Sequence, residues 1–412
     1  MQDARSRPPG VAGETAGDKA PVVTGIKATR IAYVTTYDAH DVHAWSGTVN
    51  AIAQCLAGAG FELDLMGLRA PARLRTRAMK LAWRTAGTKL MRDREPLVTK
   101  GYAAQAAQRL KSVDHDIVFS PGTVPIGYLE TSRPIVLWTD ATFDGMVDYY
   151  EAFTGLSRRT LRNGHALEQS ALDRCNLALY SSEWAANSAL EHYQVDPRKV
   201  HVVSFGANLS DGPSREDVLT AIDGRDPGRC ALLFVGVDWE RKGGEVAVAA
   251  AEAMNRDGMR TELHVVGCMP PRRLPSFVKV HGFISKREPA GRQQLAALYA
   301  RAHFVIGPSD ADCTPIAFGE ACCHGVPLLV TDTGGVGSLV RNGVNGHLLP
   351  PGASGDAYAR IALDVMRDPN EYRRLALGAR HEYETRLNWD VAGVRVRDLI
   401  AAVIDSPTGS KR

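Results

Sequence analysis

Arg30-Ile-Ala-Tyr-Val-Thr-Thr36, the polar stretch Tyr37 to Gly47, the segment Thr48 to Ala59 closed by Gly60, and then Phe61-Glu-Leu-Asp-Leu-Met66 together decide the fold. The first run is short, apolar and rich in β-formers, as a buried parallel strand is. Residues 48–59 read as a helix that stops at Gly60, and 61–66 as the next strand. Strand, loop, helix, strand at this spacing is a βαβ unit. Working outward, the same alternation predicts strands at 116–120, 134–138, 177–180 and 200–203, with helices over about 157–175 and 183–193. Residues 206–228 are rich in Gly, Asp, Ser and Pro, which predicts an interdomain linker. A second series then predicts strands at 231–235, 262–266, 278–281, 304–306 and 327–330, with helices such as 245–255 and 292–301 between them. Final helices are expected over about 356–387 and 390–404.

The expected fold class is therefore α/β, with two doubly wound Rossmann-like domains facing a cleft. The division reads as a disordered leader at 1–27, a first Rossmann-like domain at 28–210, a linker at 211–228 and a second Rossmann-like domain at 229–385. A last helix at 386–404 is expected to cross back to the first domain, leaving a tail at 405–412. In such sheets ligands sit outside the carboxyl ends of the strands, so the chemistry is sought in the loops after strands.

Composition narrows the class. The chain has 412 residues, 44% hydrophobic and 23% charged, with 49 Lys+Arg against 46 Asp+Glu for a net charge of +3. That balance does not describe a protein built on nucleic-acid electrostatics, and no nucleic-acid partner is expected. No stretch approaches the roughly 18 apolar residues of a membrane-spanning helix. The leader lacks the apolar centre of a signal peptide, so export is not expected. Seven cysteines at 55, 175, 230, 268, 313, 322 and 323, with no CxxC, read as reduced thiols packed in cores. Together these point to a cytoplasmic protein. The near-neutral sum hides one uneven region. Between Arg69 and Arg94 lie nine Lys/Arg and a single acid, Asp93, with Leu74, Leu81, Trp83 and Leu90 supplying apolar surface. This reads either as a helix lying on an anionic membrane face, peripherally on its inner side, or as a solvated basic helix.

Two loops of the second series carry the chemistry. Gly236-Val-Asp-Trp-Glu-Arg241-Lys242-Gly243-Gly244-Glu245 leaves a strand, presents two adjacent cations and opens a helix, whose amide-rich N-terminus favours an anion. Arg offers a fork for phosphate and Lys a point charge. Pro308-Ser-Asp-Ala-Asp312-Cys-Thr314-Pro-Ile316-Ala-Phe-Gly-Glu320 also leaves a strand. It sets two carboxylates eight residues apart, suited to accept hydrogen bonds from the vicinal hydroxyls of a sugar and a ribose. The apolar neighbours of Glu320 argue that it is not fully exposed, so it needs partners. In the first series, Trp45-Ser46-Gly47-Thr48 joins a strand to a helix, and glycine there permits close backbone approach to a phosphate or sugar; Ser46 also reads as a helix N-cap. Asp140 leaves the strand at 134–138 toward the cleft, as a group orienting a hydroxyl of either of two bound substrates or as an N-cap.

Asp312-x7-Glu320, followed by Cys-His-Gly-Val-Pro327 and Thr331-Asp-Thr-Gly-Gly335, resembles the E-x7-E region of the retaining family 4 glycosyltransferases. The 231–243 segment resembles that family's phosphate-binding loop. Tyr180-Ser-Ser-Glu-Trp184 and Lys199-Val-His-Val-Val-Ser-Phe-Gly-Ala-Asn208 resemble the stretch before its interdomain linker. The resemblance covers most of 170–350 and, more loosely, 30–170. It implies the GT-B fold and sugar transfer with retention from a nucleotide-sugar, a UDP- or GDP-sugar, to a glycan, lipid-linked or small-molecule acceptor, as in polysaccharide biosynthesis. It further implies a front-face reaction in which the leaving phosphate takes the acceptor proton.

Carried over residue by residue, Glu320 holds the nucleotide ribose, Asp312 contacts the donor sugar and Lys242 the diphosphate. Arg241, Thr314, Ile316, Phe283 and Gly47 complete the expected donor site. Asp140, Asp312 and Lys242 are the expected catalytic groups, with Ser46 and Asp140 on the acceptor side. Three positions depart from the family pattern: Val237 stands where an arginine is frequent, Asp312 replaces a glutamate, and Pro315, which has no N–H, replaces a glycine. No cofactor and no metal are expected, since protein cations supply the electrostatics. Asp310-Ala-Asp312 matches the DxD that binds a metal and diphosphate in the other major glycosyltransferase fold, but here it stands in the E-x7-E context beside a Lys/Arg phosphate loop; His40-Asp41-Val-His43 lacks a third ligand set, and Cys322-Cys323-His324 would point in different directions on a helix. The competing readings are an epimerase on the same scaffold and a catalytically weakened nucleotide-sugar-binding partner protein.

Overall fold

The computed structural model of the protein describes residues 29–70, 89–209 and 211–405. The strands are β1 (Arg30–Thr35), β2 (Glu62–Gly67), β3 (Ile117–Ser120), β4 (Ile135–Thr139), β5 (Leu177–Tyr180) and β6 (Val200–Val202), then β7 (Arg229–Val235), β8 (Arg260–Val266), β9 (Val278–Gly282), β10 (Phe304–Gly307), β11 (Leu328–Thr331) and β12 (Gly346–Leu349). They form two six-stranded sheets, in the orders β2-β1-β3-β4-β5-β6 and β12-β11-β10-β7-β8-β9. Every pairing is parallel. Buried runs such as Ile117–Ser120 and Leu328–Thr331 show why: a parallel strand covered by helices on both faces has no polar side to alternate with.

Strand order reverses between β1 and β3 in the first sheet and between β7 and β10 in the second. At such switch points adjacent loops leave in opposite directions and open a crevice at the strand carboxyl ends. The loops after β1, β7 and β10 therefore face one another, and they hold the Trp45-Ser46-Gly47, Arg241-Lys242 and Asp312-x7-Glu320 groups.

Several sequence expectations are corrected. The expected linker at 211–228 is not irregular throughout. It contains the helix Arg215–Asp223, with a capping box in which Ser214 and Asp217 bond reciprocally, and it buries Val218 and Ile222 beside Ala376 of the second domain. The expected helix at 356–387 is two, Gly355–Arg367 and Pro369–Thr385, because Asp368 caps the second and Pro369 begins it. Most of the basic segment, 71–88, lies outside the described residues. Its described flank is not a continuous helix: Lys89 forms a parallel bridge with Leu156, and Arg92–Arg94 is one 3-10 turn with Arg94 buried. Among the described residues no helix is long and apolar enough to cross a membrane.

The helix Trp389–Asp405 returns to the first sheet. Ala392, Val396 and Ile400 join a core with Ile31, Tyr33, Trp138 and Phe205. Trp389 packs against Trp138 and Phe205 at ring distances of 5.7 Å in both cases, and its Nε1 donates to Asn208 Oδ1 at 2.9 Å. Asn208 in turn donates to Ser46 O at 2.8 Å, so the returning helix is tied to the cleft loop. Trp389→Ala is expected to lower unfolding free energy by about 3 kcal/mol, by loss of aromatic packing, in a denaturant titration.

Candidate active site

The loop after β7 is built around one backbone requirement. Gly243, at φ 75°, caps the helix Gly244–Arg256, and a Cβ on it would lie 2.0 Å from Pro308 O. Only glycine allows the β7 and β10 loops to meet this closely. Arg241 then donates to Ala311 O at 2.7 Å, and Asp310 N donates to Arg241 O at 2.8 Å, so the two loops are stitched into one wall. Lys242 forms an ion pair with Asp312.

The helix Ile316–Cys323 starts at Pro315, which has no side-chain cap, and carries Glu320 on its buried face. Glu320 is 1% exposed and Asp312 6%. Two carboxylates this deep require counter-charges and donors. Glu320 has both, an ion pair with Lys286 from the loop after β9 and a 3.1 Å hydrogen bond from Tyr299 OH. Thr314 Oγ1 lies 2.6 Å from Ser181 Oγ of the first domain.

From the first sheet come Trp45, Ser46 and Gly47, three consecutive residues in the left-handed region at φ 49°, 56° and 83°. A Cβ at Gly47 would lie 2.7 Å from Val42 O. Non-glycine residues held there store strain of about 1–3 kcal/mol each, as loops do at functional sites. The conformation makes Gly47 the N-cap of the helix Thr48–Gly58, with no side chain covering its amides. Ser46 is thus not the N-cap. The turn also aims Trp45 Nε1 at Asp140 Oδ2, 3.1 Å away. Thr142, not Asp140, caps the short helix Phe143–Met146, leaving Asp140 for the cleft. Burial pushes the Asp140 carboxyl up to about 7; the Trp45 hydrogen bond works against this and the Asp312 charge adds to it.

These groups share one cavity of about 470 Å³, lined by Ser46, Asp140, Arg241, Lys242, Phe283, Asp312, Thr314, Ile316 and Glu320. Gly47 stands just behind it at the helix start. Val237 and Phe283, 71% and 63% exposed, lie at its lining without polar partners of their own. The His40–His43 loop closes one side of the mouth: Asp41 accepts from Arg287 at 2.6 Å, and His43 meets Phe283 edge-on at 5.5 Å. Among the described residues no group of three or more His, Cys, Asp or Glu side chains is placed to hold a metal ion.

Four contributors escape sequence reasoning. Lys286 neutralises Glu320 across 34 positions of sequence. Trp45 meets Asp140 across 95. Tyr149 OH accepts from Asp312 N at 2.8 Å, and Tyr150 OH accepts from Cys313 N at 3.0 Å, both across 163. The Arg241 guanidinium lies over the Tyr150 ring at 5.4 Å. The adjacent tyrosines are the only local signal, an aromatic pair in a loop.

The model described as "Glycosyltransferase Family 4" matches residues 47–211, and that described as "Glycosyl transferases group 1" matches 229–368. The chain belongs to glycosyltransferase family 4, a class of transferase enzymes, and has the two-domain GT-B fold. It is 28% identical over 256 residues to a D-inositol 3-phosphate glycosyltransferase of Streptomyces bingchenggensis, covering 57% of this chain and 54% of the relative. A Rhodococcus erythropolis protein of the same name is 28% identical over 235 residues, covering 54% and 53%. The chain thus spans about half the length of these relatives. In fold it is similar to sucrose-phosphate synthase from Thermosynechococcus elongatus (TM-score 0.66, 15% identity, 92% of this chain and 100% of that one). It is also similar to Anabaena HepE in complex with UDP (TM-score 0.62, 16% identity, 91% and 100%).

The Lys242–Asp312 pair yields a stability test. Lys242→Ala leaves Asp312 buried without its counter-charge and is expected to destabilise by about 3 kcal/mol. Adding Asp312→Asn is expected to restore most of that loss in thermal unfolding, a coupling that independent sites would not show.

Proposed function

We propose that the chain transfers a sugar, with retention, from a nucleotide-sugar to a hydroxyl of an acceptor, without a metal. The observation that carries this reading is the convergence of Lys242, Asp312, Glu320 and Asp140 on one cavity between the two sheets. A UDP-sugar is the donor class favoured, in line with the UDP named for the Anabaena neighbour. The diphosphate would take Lys242 and Arg241, with the uncapped amides at Gly47 and at the Gly244 helix start opposite. Glu320 would accept the ribose hydroxyls and Asp312 those of the sugar.

As the bond from the anomeric carbon to the diphosphate breaks, negative charge grows on the leaving oxygen. Lys242, Arg241 and the helix dipoles stabilise that charge where it forms. The acceptor hydroxyl attacks from the same face and passes its proton to the leaving phosphate. Asp140 orients the acceptor by accepting a hydrogen bond from a neighbouring hydroxyl, which leaves the attacking hydroxyl's proton for the phosphate. No side chain acts as a covalent nucleophile. The basic segment 69–94 supports peripheral contact with an anionic membrane face as part of the same reading.

Two tests follow. Incubation with a panel of UDP-, GDP- and ADP-sugars is expected to release nucleoside diphosphate from one donor. Lys242→Ala and Glu320→Ala should lower that release by about 100-fold or more. Unchanged release in both variants contradicts the assignment. The second test is pH. With Asp140 raised to about 7, its ionised fraction grows as pH rises through 7. Transfer should therefore rise from pH 6 to a plateau near 8, and Asp140→Asn should remove the rise while lowering the rate.

A further inference from the structure

Trp45 and Ser46 are two of the three non-glycine residues held at positive φ among the described residues, at 49° and 56°. Such strain persists only where the surroundings fix it, and it points to a function. Three contacts fix it here. Asn208 Nδ2 donates to Ser46 O at 2.8 Å, the Trp45 ring meets Phe205 edge-on at 5.9 Å, and Trp45 Nε1 donates to Asp140 Oδ2 at 3.1 Å. The first two would serve any aromatic residue at position 45. The third requires a ring N–H. A part-buried indole N–H finds a partner, and it need not be ionisable: Trp138 uses Val203 O at 3.0 Å and Trp389 uses Asn208 Oδ1 at 2.9 Å. Trp45 instead spends its single donor on a carboxyl that lines the donor cavity.

The titratable groups that line cavities with Asp140 come from several elements. They include Tyr37 in the β1 loop, Arg94 and Glu168 in the first domain, Tyr150 beyond the helix Phe143–Met146, and Arg241, Lys242, Asp312 and Cys313 across the cleft. Burial lifts the Asp140 carboxyl, the Trp45 hydrogen bond opposes that, and the Asp312 charge adds to it. A donor-only partner binds the ionised carboxylate more strongly than the acid. Replacing Trp45 leaves every other charge of the chain in place, so a change at that position isolates the indole.

We propose that Trp45 is a positioning residue for sugar transfer, whose indole N–H holds Asp140 Oδ2 and so directs Oδ1 at a substrate hydroxyl. The left-handed turn at 45–47 is strained because no extended path brings the indole to that oxygen. The same bond favours the ionised carboxylate, the form that accepts from a hydroxyl. The proposal rests on the sugar-transfer reading, in which Asp140 orients the acceptor.

The first measurement needs no ligand. The chain has six tryptophans, so isotopic labelling of the indole nitrogens gives few N–H signals to follow by NMR. One is expected to titrate with a midpoint near 7, as Asp140 does, and to stop titrating in Asp140→Asn. Trp239 also donates to a carboxylate, but Arg272 holds Glu245 below the usual carboxylate range, so that indole stays silent near neutrality. The second measurement uses Trp45→Phe, which keeps a ring and loses the donor. Nucleoside diphosphate release is followed against pH, with the sugar-nucleotide panel as donors and glycerol as the hydroxyl probe. The midpoint of the rise should move up by about one pH unit, and the rate at about pH 9 should return to within about threefold of the unmodified chain. The NMR titration stands even if Trp45→Phe fails to fold. No indole signal whose titration near neutrality is abolished by Asp140→Asn, or a Trp45→Phe profile that is unchanged or lowered equally at every pH, would overturn the proposal. A chain that turns over no donor fails at the sugar-transfer reading and takes the positioning role with it, whether or not the indole titrates.

Discussion

Two carboxylates buried between two parallel sheets must each be neutralised. Asp312 and Glu320 sit at the switch point of the second sheet, 6% and 1% exposed, where an unpaired charge is far less stable than in water. Lys242 answers one and Lys286 the other, each from a different loop. The β7 loop turns at Gly243 so that Lys242 reaches Asp312, and the β9 loop brings Lys286 over Glu320. Under the proposed function, a nucleotide-sugar competes with these lysines for the two carboxylates. The two pairs keep the site charge-balanced.

The first sheet meets this constraint from the other side. Its left-handed turn at 45–47 presents an uncapped helix start and uses Trp45 to hold Asp140. Tyr149 and Tyr150 reach across to the backbone of Asp312 and Cys313, so the position of the β10 loop depends on the first domain. The returning helix at Trp389–Asp405 and Asn208 secure that arrangement from behind. The cleft thus brings together residues that neither domain could align alone.

Much of this was legible in the chain because it is local. The buried strands declare themselves as β-branched runs, and the phosphate loop and the Asp312-x7-Glu320 spacing each lie within about a dozen residues. The Arg215–Asp223 helix was also signalled, by Ser214 and Asp217 at capping-box spacing, but the surrounding Gly and Pro content masked it. What composition and spacing do not carry is pairing over long sequence distance. Nothing local marks Lys286 as the partner of Glu320, or Trp45 as the partner of Asp140. Each acquires a role only when the sheet order brings it to the cleft. Conversely, the basic run at 69–94 was read as one helix from charge alone, whereas its described flank is a bridge at Lys89 and a single turn around a buried Arg94.

A crystal structure of the chain soaked with UDP tests the central claim most directly. The account predicts that Lys242 leaves Asp312 for the diphosphate and that the ribose hydroxyls take the oxygens of Glu320, displacing Lys286. UDP bound away from this cavity, or bound within it while both lysine–carboxylate pairs stay closed, would contradict the account.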